Sequence, residues 1–176
     1  MCSVMTSFHA SLVVACIVAV SFVGCASPPP GSSDAGASGP SAGPGPRFSA
    51  GGPDAREYGA DPKRIFLMGN SSGGSAVWTY ATHYPGRWAA IAPSAAPLDD
   101  AAFPYETLKS VPVLVIHGDM DTTMVFDASK TMVDHARAKG VDATWLPVAG
   151  GLHTDAWAQP EIITKIFDFF DAHPRK

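Results

Sequence analysis

The sequence predicts an α/β fold in which a parallel sheet carries helices on its faces. Short runs of apolar and β-branched residues alternate with longer segments of helical periodicity, and Gly or Pro separates many of them. Short continuous apolar runs are typical of strands buried on both faces, and a helix between two such strands favours a parallel connection. In addition, the first of these runs leads directly into a Gly-x-Ser-x-Gly pentapeptide at residues 69–73.

The first 25 residues are interpreted as a signal peptide. Their apolar run, residues 12–23, is shorter than the roughly 20 residues that a membrane-spanning helix needs. It ends at Phe22-Val23-Gly24-Cys25, which resembles the processing site of bacterial lipoproteins, where the Cys receives lipid and becomes the first mature residue. Phe22 stands where Leu is usual, and no Lys or Arg precedes the run. An ordinary signal peptide and an N-terminal anchor are therefore the alternatives to a lipoprotein signal. All three cysteines lie in this leader, and only Cys25 would survive cleavage.

Residues 26–53 are predicted to form a flexible tether. Ala, Ser, Pro or Gly occupies 25 of these 28 positions, and such a composition cannot bury a core. The folded domain is therefore expected to span residues 54–176, which carry 15 acidic and 11 basic side chains. The net charge of −4 gives no sign of a nucleic-acid surface. The leader and the tether together predict an extracytoplasmic protein, either secreted or anchored to a membrane by a lipid on Cys25.

Within residues 54–176 the periodicities predict four strands and three helices. The strands are expected at residues 64–68, 88–92, 113–117 and 144–148. The helices are expected at residues 74–84, from an N-cap at Asp127 to residue 139, and from Pro160 through Phe170. Because the carboxyl ends of parallel strands meet at one edge of a sheet, the loops that follow these strands are the predicted place for functional groups.

Ser71 is the candidate nucleophile. In a strand-turn-helix context, Gly-x-Ser-x-Gly exposes the serine hydroxyl on a strained turn, where a Cβ at either flanking position would collide with neighbouring backbone. The N–H of Ser72 would then point at the place where an oxyanion forms. The same pattern recurs at residues 39–43, but the tether provides neither the strand nor the helix that the motif requires. The pentapeptide at residues 69–73 has both.

Two later loops provide a base and an acid for Ser71. A serine hydroxyl attacks at neutral pH only if a His takes its proton and a carboxylate orients that His. Asp121 follows the third predicted strand, and His153 follows the fourth. Asp119 competes with Asp121 as the acid, and the spacing from His117 favours Asp121. His117 itself is interpreted as a hydrogen-bonded structural residue rather than a second base.

No metal or cofactor is predicted. No two of the His residues fall at a ligand spacing such as His-x-x-x-His. Three of them, His83, His135 and His173, are expected on helices or at helix ends, facing solvent.

The order of these motifs resembles the C-terminal half of an α/β-hydrolase. The segments that carry the resemblance are residues 61–65, 69–74, 83–90, 117–121 and 151–153. Within that superfamily, the chain is most similar to secreted esterases and to polyhydroxyalkanoate-depolymerase-like and prolyl-oligopeptidase-like enzymes. The resemblance implies a serine hydrolase that acts on a small-molecule or polymeric ester, with Ser71 as nucleophile, Asp121 as acid and His153 as base. Peptide hydrolysis is the alternative within this class.

The resemblance also implies that the hydrolase fold is incomplete. A complete hydrolase of this type has further strands before the nucleophile, and a loop after one of them supplies the second oxyanion N–H. Here the tether occupies that place, and residues 51–53 lie too close to Gly69 to leave room for a strand and a helix. The strand at residues 64–68 is therefore expected to present an unpaired edge, through which the chain self-associates. A truncated, non-catalytic interaction module is the alternative to an enzyme.

Overall fold

The computed structural model of the chain describes residues 15–17, 60–154 and 156–176. In this part of the chain, five parallel strands form one sheet with the order β1-β2-β3-β4-β5. Sequence order equals spatial order, so each connection leads to the neighbouring strand. The strands are Ala15–Ile17 (β1), Phe66–Asn70 (β2), Ala90–Ser94 (β3), Val113–Gly118 (β4) and Ala143–Val148 (β5).

Helices cover both faces of the sheet, and the predicted α/β class is confirmed. Ser72–His83 (α1) follows β2, and Phe126–Ala138 (α2) connects β4 to β5. Both pack on the face that carries Leu67. Pro160–Ala172 (α3) packs on the opposite face, where the rings of Phe66 and Phe170 stack with centroids 4.5 Å apart. Successive side chains of a strand point to opposite faces, so both faces of β2 are buried.

Strands β2 and β3 extend two residues closer to the site than the sequence predicts. Gly69 and Asn70 pair in parallel register with Pro93 and Ser94 of β3. Local periodicity places Gly69 in the turn, whereas pairing with the neighbouring strand keeps it in the sheet. The turn therefore begins at Ser71 itself.

The predicted N-cap at Asp127 is wrong. Helix α2 begins at Phe126, and its N-cap is Val125, which forms no side-chain hydrogen bond. The ring of Phe126, the first residue of the helix, packs against Trp145 of β5 with centroids 5.2 Å apart. Asp127 lies in the first turn instead, where a carboxylate interacts favourably with the helix dipole.

Strand β5 is less buried than predicted. It pairs with β4 on one side and lies at an edge of the described sheet, and the side chains of Thr144 and Pro147 are exposed. An edge strand tolerates Pro147 because the N–H that proline lacks is not needed for a second neighbour.

The prediction of an unpaired edge at residues 64–68 is wrong for the full chain, in which residues 66–68 are paired. Strand β1 lies parallel to β2 on that side and aligns Ala15, Cys16 and Ile17 with Phe66, Leu67 and Met68. This short strand comes from the apolar leader that the sequence assigns to a signal peptide. Within the described part of the chain, no helix has the length and apolar character needed to cross a bilayer.

Several predictions fall on residues that the structure does not describe. Most of the leader, with the proposed lipidation at Cys25, is among them, and so is the tether at residues 26–53 with its second Gly-x-Ser-x-Gly. These stay predictions.

Candidate active site

Ser71 occupies the sharp turn between β2 and α1. Its backbone has φ 56° and ψ −122°, a left-handed conformation that a residue with a Cβ seldom adopts. The turn is held from both sides, because the Ser71 N–H donates to the Ser94 carbonyl at 2.9 Å and the Ser71 carbonyl accepts from the Ser75 N–H at 2.9 Å. The hydroxyl is thereby presented at the carboxyl edge of the sheet.

Gly69 permits the close approach that this turn requires. A Cβ at this position would lie 2.6 Å from the carbonyl carbon and oxygen of Gly73. Atoms of the backbone cannot move aside as the end of a long side chain can. The steric role predicted for this glycine is confirmed.

The structure brings together Ser71, His153 and Asp121, which lie far apart in the chain. His153 Nε2 is 2.9 Å from Ser71 Oγ, and His153 Nδ1 is 2.8 Å from Asp121 Oδ2. The carboxylate can only accept, so Nδ1 carries the proton and Nε2 is left to accept from the Ser71 hydroxyl. The Asp121 side chain is fully buried and that of His153 is 15% exposed. The arrangement allows a proton to pass from Ser71 to His153 while Asp121 stabilises the imidazolium.

Four donors surround the Asp121 carboxylate. Oδ1 accepts from the backbone N–H groups of Thr123 at 2.7 Å and Met124 at 2.9 Å, while Oδ2 faces His153 at 2.8 Å and His117 at 2.9 Å. Burial acts to raise the pKa of Asp121, but the Met124 N–H, His153 and the Thr123 N–H together outweigh it and hold the pKa below its usual range. Asp121 therefore stays ionised at neutral pH.

Asp119, the alternative candidate for the acid, hydrogen-bonds to Gly150 rather than to His153. Its Oδ1 accepts from the Gly150 N–H at 2.7 Å, which ties the loop after β4 to the loop after β5. The same two loops meet at Gly118, where a Cβ would lie 2.1 Å from the Gly151 carbonyl oxygen. Asp121, not Asp119, thus contacts His153, and Asp119 holds the neighbouring turn.

Sequence reasoning missed Asn70, the variable residue of the pentapeptide. Its Nδ2 donates to the backbone carbonyl of His153 at 3.1 Å and so links the nucleophile turn to the histidine loop. Its Oδ1 is buried without a hydrogen-bond partner among the described residues. No sequence signal marks this contact, because it joins two segments that are 83 positions apart.

His117 is fully buried at the end of β4 and forms two hydrogen bonds, one of them to Asp121. The sequence predicts a hydrogen-bonded structural residue here, but it does not identify the partners. Burial lowers the pKa of His117 by more than the Asp121 carboxylate raises it, so the imidazole is neutral.

Ser72, the predicted oxyanion donor, is the first residue of α1. The N–H groups of a helix's first turn have no acceptor within the helix, so they are suited to hold a developing negative charge. The second donor that the resemblance implies would come from a loop that precedes β2. Most of that part of the chain lies outside the described residues.

Three further described histidines, His83, His135 and His173, form none of the hydrogen bonds of this site. His83 and His135 are exposed, as expected, whereas His173 is half-buried because its ring packs on Phe169 with centroids 4.3 Å apart. Within residues 60–154 and 156–176, no group of three or more His, Cys, Asp and Glu side chains is placed to hold a metal ion.

The parallel sheet and the places of these side chains define an α/β-hydrolase fold. The serine lies on a tight turn between a strand and its helix, and the acid and histidine follow the next strands along the sheet.

Solved structures with the same fold include several esterases. A thermostable esterase matches 68% of this chain with a TM-score of 0.59 and 22% identity. SOBER1 from Arabidopsis thaliana matches 66% of the chain with a TM-score of 0.55 and 22% identity. A truncated carbohydrate esterase from gut microbiota matches 67%, with a TM-score of 0.53 and 21% identity. No family model matches the chain, and no curated protein does so either.

The chain covers only part of the fold of these structures. It spans 33% of the thermostable esterase, 56% of SOBER1 and 62% of the carbohydrate esterase. The predicted incomplete α/β-hydrolase fold is thus confirmed. These comparisons bear on the fold and not on the activity.

Proposed function

We propose that this chain is a serine hydrolase that cleaves carboxylic esters through a Ser71-His153-Asp121 triad. The observation that carries the proposal is the continuous hydrogen-bonded path from Ser71 Oγ through His153 to Asp121, with distances of 2.9 and 2.8 Å. The strained conformation of Ser71 adds support, since a residue is held in such a conformation when the surrounding structure imposes it, often at a functional site.

The proposed reaction follows from this arrangement. Ser71 Oγ attacks the ester carbonyl as His153 Nε2 takes its proton, and the negative charge on the carbonyl oxygen is stabilised by the Ser72 N–H. The tetrahedral intermediate collapses, and His153 returns the proton to the leaving alcohol. A water molecule, activated by His153, then releases the acyl group from Ser71. Asp121 remains ionised throughout and stabilises the imidazolium.

Exposed apolar side chains support an ester with an apolar acyl or alkyl group. Met120 and Val125 lie in the loop after β4, and Leu152 directly precedes His153. Their exposed fractions are 58%, 67% and 52%. Apolar groups on the two loops that carry the acid and the base would favour binding of an apolar substrate over a charged one.

Two alternatives remain within the proposal. The same triad chemistry cleaves peptides, so a serine peptidase is the second candidate. A non-catalytic module is the third, and it rests on the partial coverage of the related structures.

The proposal is tested with a fluorophosphonate probe and short-chain nitrophenyl esters. Ser71→Ala should abolish labelling, and Asp121→Ala and His153→Ala should each lower kcat at least about a thousandfold. Ser41→Ala, in the second Gly-x-Ser-x-Gly, is the matched control and should react like the parent chain. Labelling that persists in Ser71→Ala contradicts the proposal. Faster cleavage of peptide nitroanilides than of the esters favours the peptidase.

A further inference from the structure

A second buried hydrogen-bonded path leads from Asp121 through His117 to Ser129. His117 Nε2 lies 2.9 Å from Asp121 Oδ2, and His117 Nδ1 lies 2.7 Å from the Ser129 hydroxyl on α2. His117 is fully buried and Ser129 is 1% exposed. The proposed reaction as described above uses neither residue.

The two contacts define the tautomer of His117. A proton on Nδ1 would leave two acceptors, Nε2 and Oδ2, facing each other at 2.9 Å. A proton on Nε2 lets His117 donate to the carboxylate, while Nδ1 accepts from the Ser129 hydroxyl. All three groups are satisfied only in this second arrangement.

The neutral state of His117 suits this position. The titratable groups that act on its ring are Asp121 and His153, from the loops after β4 and β5. On the α2 side it meets the Ser129 hydroxyl and the ring of Phe126, whose centroid is 5.7 Å away, and neither carries a charge. A cationic His117 would repel the imidazolium that forms on His153, whereas a neutral donor stabilises the carboxylate without that cost.

We propose that His117 is a positioning residue that acts through Asp121 in the hydrolase reaction proposed above. It donates to Oδ2, the same oxygen that orients His153. His153 lies on a loop after β5, while His117 lies near the end of β4, a strand with a neighbour on each side. His117 therefore holds the carboxylate through Oδ2, and the Ser129 hydroxyl keeps the His117 proton on Nε2, from which it is donated to Asp121.

Sharing of Oδ2 has a second consequence. Each donor draws charge from the oxygen, so loss of the His117 N–H leaves a more basic carboxylate facing His153. That carboxylate would hold a proton on the His153 ring more tightly. The acidic limb of the pH profile of kcat/KM should then move to higher pH.

The test compares His117→Leu with His117→Gln in the full chain, using a nitrophenyl ester. Leu has similar volume but no donor, and we expect kcat to fall about ten- to hundredfold with KM unchanged and with the acidic limb displaced upward. Gln can place an N–H near the position of Nε2 and should restore kcat to within about threefold of the parent, together with its pH profile. The proposal is overturned if His117→Leu has the kcat and the pH profile of the parent chain. It is also overturned if both variants lose kcat equally and the acidic limb of kcat/KM stays where it is in the parent.

Ser129→Ala keeps the proposal testable if the His117 variants do not fold. It removes the hydroxyl that faces His117 Nδ1 and leaves a side chain of nearly the same size. We expect a smaller fall in kcat than in His117→Leu, with the acidic limb displaced in the same direction. A Ser129→Ala chain that folds and matches the parent in both respects overturns the role of the tautomer.

Nitrogen NMR of the imidazoles separates this inference from the proposed activity. The parent chain should show His117 neutral with its proton on Nε2 at pH 7, and this signal requires no substrate. A proton on Nδ1 overturns the inference even if the chain is an active esterase. A parent chain that hydrolyses no ester and binds no fluorophosphonate overturns the proposed function instead, and with it the catalytic part of this inference.

Discussion

Asp121 shows how one side chain links electrostatics to stability. Its carboxylate accepts from two backbone N–H groups and faces two imidazoles, and these contacts keep its pKa below the usual range despite burial. A carboxylate whose pKa is lowered on folding stabilises the folded state above its unfolded pKa, about 3.9. That contribution is lost as the pH falls through the lower, folded value.

We therefore expect a pH-dependent difference between the parent chain and Asp121→Asn. At pH 7 the parent should be the more stable, because it retains the charged acceptor. The difference in melting temperature should shrink as the pH falls below about 4, where the parent's carboxylate takes up its proton. Thermal unfolding of both chains from pH 3 to pH 7 measures this difference in melting temperature. The exposed Asp168→Asn, outside the first turn of a helix, is the control, and a gap that widens towards low pH would contradict the assignment.

The sequence predicts the residues of the site that belong to motifs, but not the contacts that distant residues make with them. Ser71, Asp121 and His153 are marked by their motifs and their order along the chain. The hydrogen bonds of Asn70 to His153 and of His117 to Ser129 carry no such mark. An Asn or a buried Ser is common in any loop or helix, so only the folded arrangement shows what it contacts.

Among the elements, the β4 end and the β5 loop depend on one glycine. Gly118 closes β4 where the strand touches the Gly151 carbonyl, and a Cβ would meet that oxygen at 2.1 Å. Such a contact forces the loops of Asp121 and His153 apart. Their separation would break the path to Ser71 as well as the local packing.

Gly118→Ala should lower the free energy of unfolding by at least about 2 kcal/mol and reduce ester hydrolysis further than that loss explains. Gly86→Ala is the matched control, since no atom lies within 4 Å of its added Cβ. Urea unfolding of both variants, beside an esterase assay, measures the effect. A Gly118→Ala chain as stable and active as Gly86→Ala would show that the loops move without cost.

The elements themselves follow closely from local periodicity. Each predicted helix lies within about two residues of an observed one, because apolar spacing and Gly or Pro boundaries act locally. The strand ends at residues 64–68 and 88–92 were displaced, since pairing between β2 and β3 extends both strands toward the site. The start of α2 lies one residue before the predicted N-cap, at Phe126, whose ring contacts Trp145 of β5.

For the molecule as a whole, the leader raises a conflict. Residues 15–17 cannot both be removed with a signal peptide and pair with β2 as β1. We propose that in the mature protein the leader is cleaved, that Cys25 carries a lipid, and that the domain works outside the cytoplasm. Cleavage would then expose the β2 edge, an apolar edge suited to self-association.

Mass spectrometry of the mature protein decides this conflict, and we expect a chain that begins at a lipidated Cys25. Cys25→Ser should remove the lipid. A chain expressed from residue 54 lacks β1, so it should self-associate in size-exclusion chromatography with light scattering, whereas the full chain should do so less. An intact, unmodified leader in the mature protein, or a monomer from residue 54, would contradict the proposal.

The sequence by itself determined the α/β class, the strand-turn-helix at Ser71 and the order of the candidate groups. These depend on the spacing of residues that are close together in the sequence and on the order of the motifs along it. Only the tertiary structure decided that β1 pairs with β2 and that Asp121 rather than Asp119 meets His153. It also showed that His117 contacts Asp121 and that Asn70 contacts the His153 backbone. Such contacts join residues that are distant in the chain, and they arise because parallel strands bring their carboxyl ends to one edge, where burial and hydrogen bonding select the partners.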